Sequence, residues 1–232
     1  MRKLILLMCV AICSQTLASQ KVIPQGATGG SYVKELADVG FADLSVDDLI
    51  TFKIHGIDAD YIRSLRKEGF DPTPDQVIAM RIHGVTPEFA KDLKAAGFSD
   101  LTIDQLVTAR IHHVTPEVAE ELKKAGLGDP TFDDLVTARI HGVTPDFVRE
   151  LKASGLDIQT FDQAVAARIH GVDKNLARDL REAGLGDLTF DNLITAKIHG
   201  ITPDFVKRAK ELGLKDLTFD KLVTLKIHRV LD

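Results

Sequence analysis

The sequence predicts an all-α fold, an αα-hairpin repeat solenoid of about seven two-helix units. Three observations predict it. An Ile-His pair recurs at His55, His83, His112, His141, His170, His199 and His228, first after 28 residues and then every 29. A glycine recurs on the same period at Gly40, Gly69, Gly97, Gly126, Gly155, Gly184 and Gly213. Helix-start signals fall twice in each period. Two independent markers on one period define a repeat, in which each unit is too small to bury its apolar face alone.

Residues 1–18 read as a secretory signal. Arg2 and Lys3 open it, and Leu4 to Ile12 is an apolar run too short to span a bilayer. Small residues at Thr16 and Ala18 predict cleavage after Ala18. Cleavage would remove both cysteines, Cys9 and Cys13, and with them any disulfide or thiolate metal site. A lipoprotein route through Cys13 is disfavoured by Ile12 before it. The formal charge would move from −5 to −7 as Arg2 and Lys3 leave. A mildly acidic chain is a poor partner for nucleic acid. Nothing in the mature chain is long and apolar enough for a membrane span. Residues 19–30 carry three glycines and no periodicity, which predicts a flexible lead-in. The repeat array occupies 31–232.

Each unit begins with a helix that follows a Thr-Pro pair, as at Thr86-Pro87, Thr115-Pro116, Thr144-Pro145 and Thr202-Pro203. The threonine caps free amides, and proline at the first position has no amide to leave unpaired. Asp58 and Asp173 take the cap where the pair is missing, and Gly29 aligns with it in the first unit. Leu93, Leu122, Leu151 and Leu180 lie four residues from Phe89, Val118, Phe147 and Leu176, forming one apolar stripe. The recurrent glycine, followed by an apolar residue, matches a Schellman ending.

The second helix opens at Ser45, Thr73, Thr102, Thr131, Thr160, Thr189 and Thr218. Asp48, Gln76, Gln105, Asp134 and Gln163 stand three residues on, at capping-box spacing, which Asn192 and Lys221 break. Phe132, Leu135, Val136 and Ile140 are expected to face inward. The helix ends at Gly56, Gly84, Gly142, Gly171 and Gly200. His113 and Arg229 replace that glycine, so those ends should be more strained.

The histidine ladder invites a metal reading. One ion needs ligands within about 2–2.6 Å, and equivalent residues in stacked units lie about 10 Å apart by helix-packing distance. The ladder therefore cannot converge on an ion. Each histidine is expected instead at the end of a second helix, near its carbonyls and the negative end of its dipole. The adjacent pair His112-His113 diverges on a helix and is a weak metal signal. No cofactor is expected.

Two charged ladders are more regular. Aspartate recurs at Asp47, Asp75, Asp104, Asp133, Asp162, Asp191 and Asp220, and a base six residues later at Lys53, Arg81, Arg110, Arg139, Arg168, Lys197 and Lys226. Six residues turn through about 240° of helix, so the two cannot pair along one face. They are expected to bridge neighbouring units, or the aspartate to favour the helix start. The alternative is a binding stripe along Arg81, Arg110, Arg139, Arg168 and Lys197. Tyr32, Tyr61, Phe89, Phe147 and Phe205 share one register and are expected in the core. The acid pair Asp133-Asp134 sits where a cap belongs. No nucleophile-elbow, zinc-protease or phosphate-loop pattern occurs, so no catalytic residue is expected.

The unit DDLVTARIHGVTPDFVRELKASG, with its IHGVTP core, resembles tandem helical repeats of exported bacterial proteins. Similar repeats are appended to some membrane metallopeptidases of the beta-lactam-sensor type. The resemblance covers nearly the whole mature chain. It implies a periplasmic or extracellular location and a link to sensing or regulation. It transfers no catalytic residue, because the metallopeptidase's helical zinc motif is absent here. The reading that results is an exported, non-catalytic module that binds a protein or peptide or acts as a scaffold. The alternative is a self-associating structural protein of the envelope.

Overall fold

The structure, a computed structural model, describes residues 29–186 and 188–231. The signal segment 1–18 and residues 19–28 of the lead-in lie outside the described residues. Residues 1–43 and 44–232 form two compact units. Among the described residues there are fourteen α-helices and no strand. The first unit holds α1 (Gly29–Asp38). The second holds α2 (Val46–Ile54), α3 (Ala59–Lys67), α4 (Pro74–Ile82), α5 (Pro87–Ala95), α6 (Ile103–Ile111) and α7 (Pro116–Leu122). There follow α8 (Phe132–His141), α9 (Pro145–Ala153), α10 (Phe161–His170), α11 (Leu176–Glu182), α12 (Phe190–His199), α13 (Pro203–Glu211) and α14 (Phe219–Ile227). The described residues form an all-α, αα-hairpin repeat solenoid of roughly seven two-helix units.

The helix starts follow their cap chemistry. Ser45, Thr73, Thr102, Thr131 and Thr160 each form a capping box with the predicted partner. Asn192 also completes one with Thr189, contrary to the sequence expectation. Its amide oxygen accepts from the Thr189 amide at 3.0 Å, as a Glu or Gln would. Thr86, Thr115, Thr144 and Thr202 accept from the third amide of their helices, each with proline in the first turn. Asp58 does the same for Tyr61 at 2.8 Å. Asp173 accepts from both Asn175 and Leu176 at 2.9 Å, so its cap includes a turn ahead of α11. Gly29 is the first residue of α1 rather than its cap, and the helix therefore begins inside the expected lead-in.

The glycine endings are left-handed. In α5, Gly97 has φ +103°, and the Phe98 amide donates back to the Leu93 carbonyl at 3.0 Å, which turns the chain back over the helix end. The fourth pair departs from this pattern. Residues Lys123–Leu127 continue α7 as a π turn, with Gly126 at φ +87°. At the ends of α6 and α14, His113 and Arg229 take φ +54° and +51°, where a side chain is strained.

Within the second unit, helices stack on their own kind. The second helices pack in series, α2 on α4 on α6 and α8 on α10 on α12 on α14. The first helices pack α3 on α5, α7 on α9 and α11 on α13. The core is a repeated triplet: a leucine of the first helix (Leu65, Leu93, Leu122), a residue of the second (Val77, Leu106, Leu135), and the apolar residue after the helix end (Val85, Val114, Val143). All of these are at most 2% exposed. One inward position is corrected. Phe132, Leu135 and Ala138 form the buried row of α8, but Ile140 is 55% exposed. Two residues past Ala138 is a 200° turn, which carries Ile140 to the opposite side.

Candidate binding face

The basic ladder lies at the seams between pairs. Arg81 Nε donates to the His55 carbonyl at 3.1 Å, Arg139 Nε to His112 at 3.0 Å and Arg168 Nε to Gly142 at 2.9 Å. Each acceptor is a terminal carbonyl of the preceding second helix. For these three arginines the bridge runs to the negative end of a helix. These side chains also lie over the ring of their own pair's first helix: Arg81 over Tyr61 at 4.8 Å, Arg110 over Phe89 at 3.7 Å, Arg168 over Phe147 at 4.3 Å and Lys226 over Phe205 at 4.9 Å. Arg139 and Lys197 have Val118 and Leu176 at that position instead of a ring. Arg110 stacks most closely, and its Nε is buried without a hydrogen-bond partner.

A second set of cations does the same work for the first helices. Its signal in the sequence is a base three residues before most of the recurrent glycines. Lys152 Nζ donates to the Gly126 carbonyl at 2.6 Å and Lys210 Nζ to Gly184 at 3.0 Å. Lys94 donates to the Glu68 carbonyl and sits over the Phe70 ring. Lys123, the first residue of the π turn, pairs with Asp129. So in both helix layers a cation of one pair closes the helix end of the pair before it.

The aromatic register is largely core. Tyr61, Phe89 and Phe205 are buried, while Phe147 and Tyr32 are half-buried. The Tyr61 hydroxyl donates to the Val85 carbonyl, just past the end of α4 in its own pair, at 2.6 Å. Burial pushes its phenol up to about 12, against the opposing pull of the nearby Arg81 charge. The exposed Glu117 carboxyl is held below the usual range, first by the Thr115 hydroxyl and then by its own backbone amide.

The histidines stand at helix ends, with His55, His83, His112 and His228 as cap residues and His141, His170 and His199 as last helical residues. The terminal carbonyls of His55 and His112 are taken by arginines of the next pair, so the imidazole is not what closes those ends. Among the described residues no group of three or more His, Cys, Asp or Glu side chains could hold a metal ion.

What the seams leave over is the outward side of the second helices. Ile54, Ile82, Ile111, Ile140, Ile169, Ile198 and Ile227 are 37–73% exposed. Each is one residue past the ladder cation. The seven ladder aspartates are also exposed. Between them, four residues past the aspartate, stands a small residue: Thr51, Ala79, Thr108, Thr137, Ala166, Thr195 or Thr224. The hydroxyls of Thr51, Thr108 and Thr224 donate to the Asp47, Asp104 and Asp220 carbonyls at 2.8–2.9 Å. Positions i, i+4 and i+7 share one side of a helix. Every second helix therefore presents a column of acid, small residue and isoleucine. The sequence contained this signal, since the isoleucine was half of the period marker, but its exposure depends on which row is buried.

A less regular feature lies between α5 and α7, where an open groove of about 810 Å³ is lined by Asp92, Phe98, Pro116, Glu117, Glu120 and Asp129, among others. Among the described residues, no helix is long and apolar enough to cross a membrane. Comparison with family models, with curated proteins and with solved structures gives no match.

Proposed function

We propose that this chain is a non-catalytic binding module that docks a protein or peptide on the outward side of its second helices. One observation carries the reading: the isoleucine exposed at the same place in seven successive second helices. Single exposed apolar residues are ordinary, but a row in register is a surface in search of a partner. The ladder cations have an internal role at the seams, which accounts for their recurrence without a ligand. The exposed isoleucines have no such internal role. Arrays of this kind bind through equivalent positions on successive units.

The basic start and short apolar run of 1–18, with the resemblance to repeats of exported bacterial proteins, support a periplasmic or extracellular setting and a role linked to sensing or regulation. The test is a crosslinking pull-down with the full chain from the envelope of its own host. A saturable protein partner is the expected result, and recovery of no partner refutes the reading. A second reading, self-association, has its own support: Leu214 is 39% exposed, whereas its equivalents Leu127, Leu156 and Leu185 are at most 6% exposed. Crosslinked ladders of the chain alone would favour it.

A further inference from the structure

The columns of the second helices add up to two parallel rails. Because α8, α10, α12 and α14 pack in series, as do α2, α4 and α6, neighbouring columns lie about 8–10 Å apart by helix-packing distance. Along each column the aspartate and isoleucine are seven residues apart, a rise of about 10.5 Å. On α8, α10 and α12, Asp133, Asp162 and Asp191 thus form an acidic rail, and Ile140, Ile169 and Ile198 an apolar rail beside it. Between the rails lie Thr137, Ala166 and Thr195, each preceded by a half-buried apolar residue, Val136, Val165 or Ile194. The strip between the rails is about as wide as an α-helix, whose diameter with side chains is about 10–12 Å.

We infer that this strip receives an amphipathic helix of a partner protein, with a basic flank and an apolar seam that repeats every seven residues. The inference rests on the binding-module reading above and specifies its ligand. Charge sets the basic flank: an unbroken row of exposed carboxylates favours Lys or Arg and repels acidic sequences. Spacing sets the heptad, since seven residues of helix rise about 10.5 Å, close to the step from one isoleucine to the next. Width sets the helix. An extended chain is too narrow to touch both rails at once, whereas a helix places its seam on the isoleucines and its flank on the aspartates. The polar and apolar parts of the strip then act together, as in other helix-in-groove interfaces.

The probe is a synthetic helix of about three heptads, with leucine at the seam positions and lysine along one flank. Its binding to the full chain is followed by fluorescence anisotropy at low and high salt. Saturable binding is expected, weakened roughly tenfold or more by the triple change Asp133→Asn, Asp162→Asn, Asp191→Asn, which should also remove most of the salt dependence. The triple change Ile140→Ser, Ile169→Ser, Ile198→Ser should weaken it similarly while leaving the salt dependence. Circular dichroism checks that both variants remain folded. A third arm needs no protein variant: the same peptide with its lysines changed to glutamate should not bind the unaltered chain. Absence of saturable binding, equal binding of the Lys and Glu peptides, or full binding by both triple variants overturns the assignment. Recovery of a crosslinked partner in the pull-down, alongside any of these, would refute the helix-in-strip inference while leaving the binding-module reading standing.

Discussion

Arg168→Met tests the seam directly. Methionine keeps an unbranched stem over Phe147 but removes the charge, the Nε donor to Gly142 and the cation above the ring. A hydrogen bond from a charged group contributes about 1.5–3 kcal/mol net in a buried setting. Arg168 is exposed, so the lower end applies or less. The cation–ring contact at 4.3 Å adds about 0.5–1 kcal/mol at an exposed site. The charge beside the end of α8 is already counted in its hydrogen bond. The expected loss is about 1–2 kcal/mol. With a urea slope of about 3 kcal/mol/M, the unfolding midpoint should fall by about 0.3–0.7 M. Arg168→Lys should fall between the two, because ammonium keeps the charge without the planar fork. Arg149→Met is the matched control. Arg149 pairs only with Asp146 on the surface of α9 at 2.5 Å, and its loss should cost less than about 0.5 kcal/mol. If Arg168→Met and Arg149→Met shift the midpoint equally, the seam cations do not join the pairs and the argument fails.

Three further outcomes follow from the same geometry. Gly126→Val should destabilise by about 1–2 kcal/mol, because a β-branched residue resists φ +87°, while the Lys152 ammonium, 2.6 Å from the added Cβ, is the mobile end of its side chain and can move aside; an unchanged melting curve would refute it. Leu151→Ala should cost about 2–5 kcal/mol, since Leu151 is 1% exposed in the core between helix pairs; chemical denaturation measures this. Tyr61 sets an alkaline limit. Its folded pKa lies above the unfolded value, so the unfolded chain loses the phenolic proton first, and the contribution is complete below pH 10 and lost as pH rises towards about 12. The melting temperature of the wild type should therefore fall more steeply between pH 10 and 12 than that of Tyr61→Phe, and equal slopes would refute the assignment.

Much of this protein was determined by local chemistry that a sequence states outright. The period, the paired helices, the threonine and serine caps and the left-handed glycine endings all involve residues within one or two turns of each other. Such bonds form wherever the right residues are adjacent, as at Thr131 with Asp134. Even the strained ends at His113 and Arg229 could be read from the missing glycine. The tertiary structure decided the relations between residues nearly one period apart. Arg168 and Gly142 are 26 residues apart, and only the stacking of α10 on α8 makes a helix end the partner of that cation. The same stacking decided which row of each second helix is buried. Burial of Phe132, Leu135 and Ala138 turned Ile140 outward, although all four are apolar and the sequence reading had grouped Ile140 with the inward residues. Hydrophobicity says that a residue gains by leaving water; which residues do so depends on where the neighbouring helices lie.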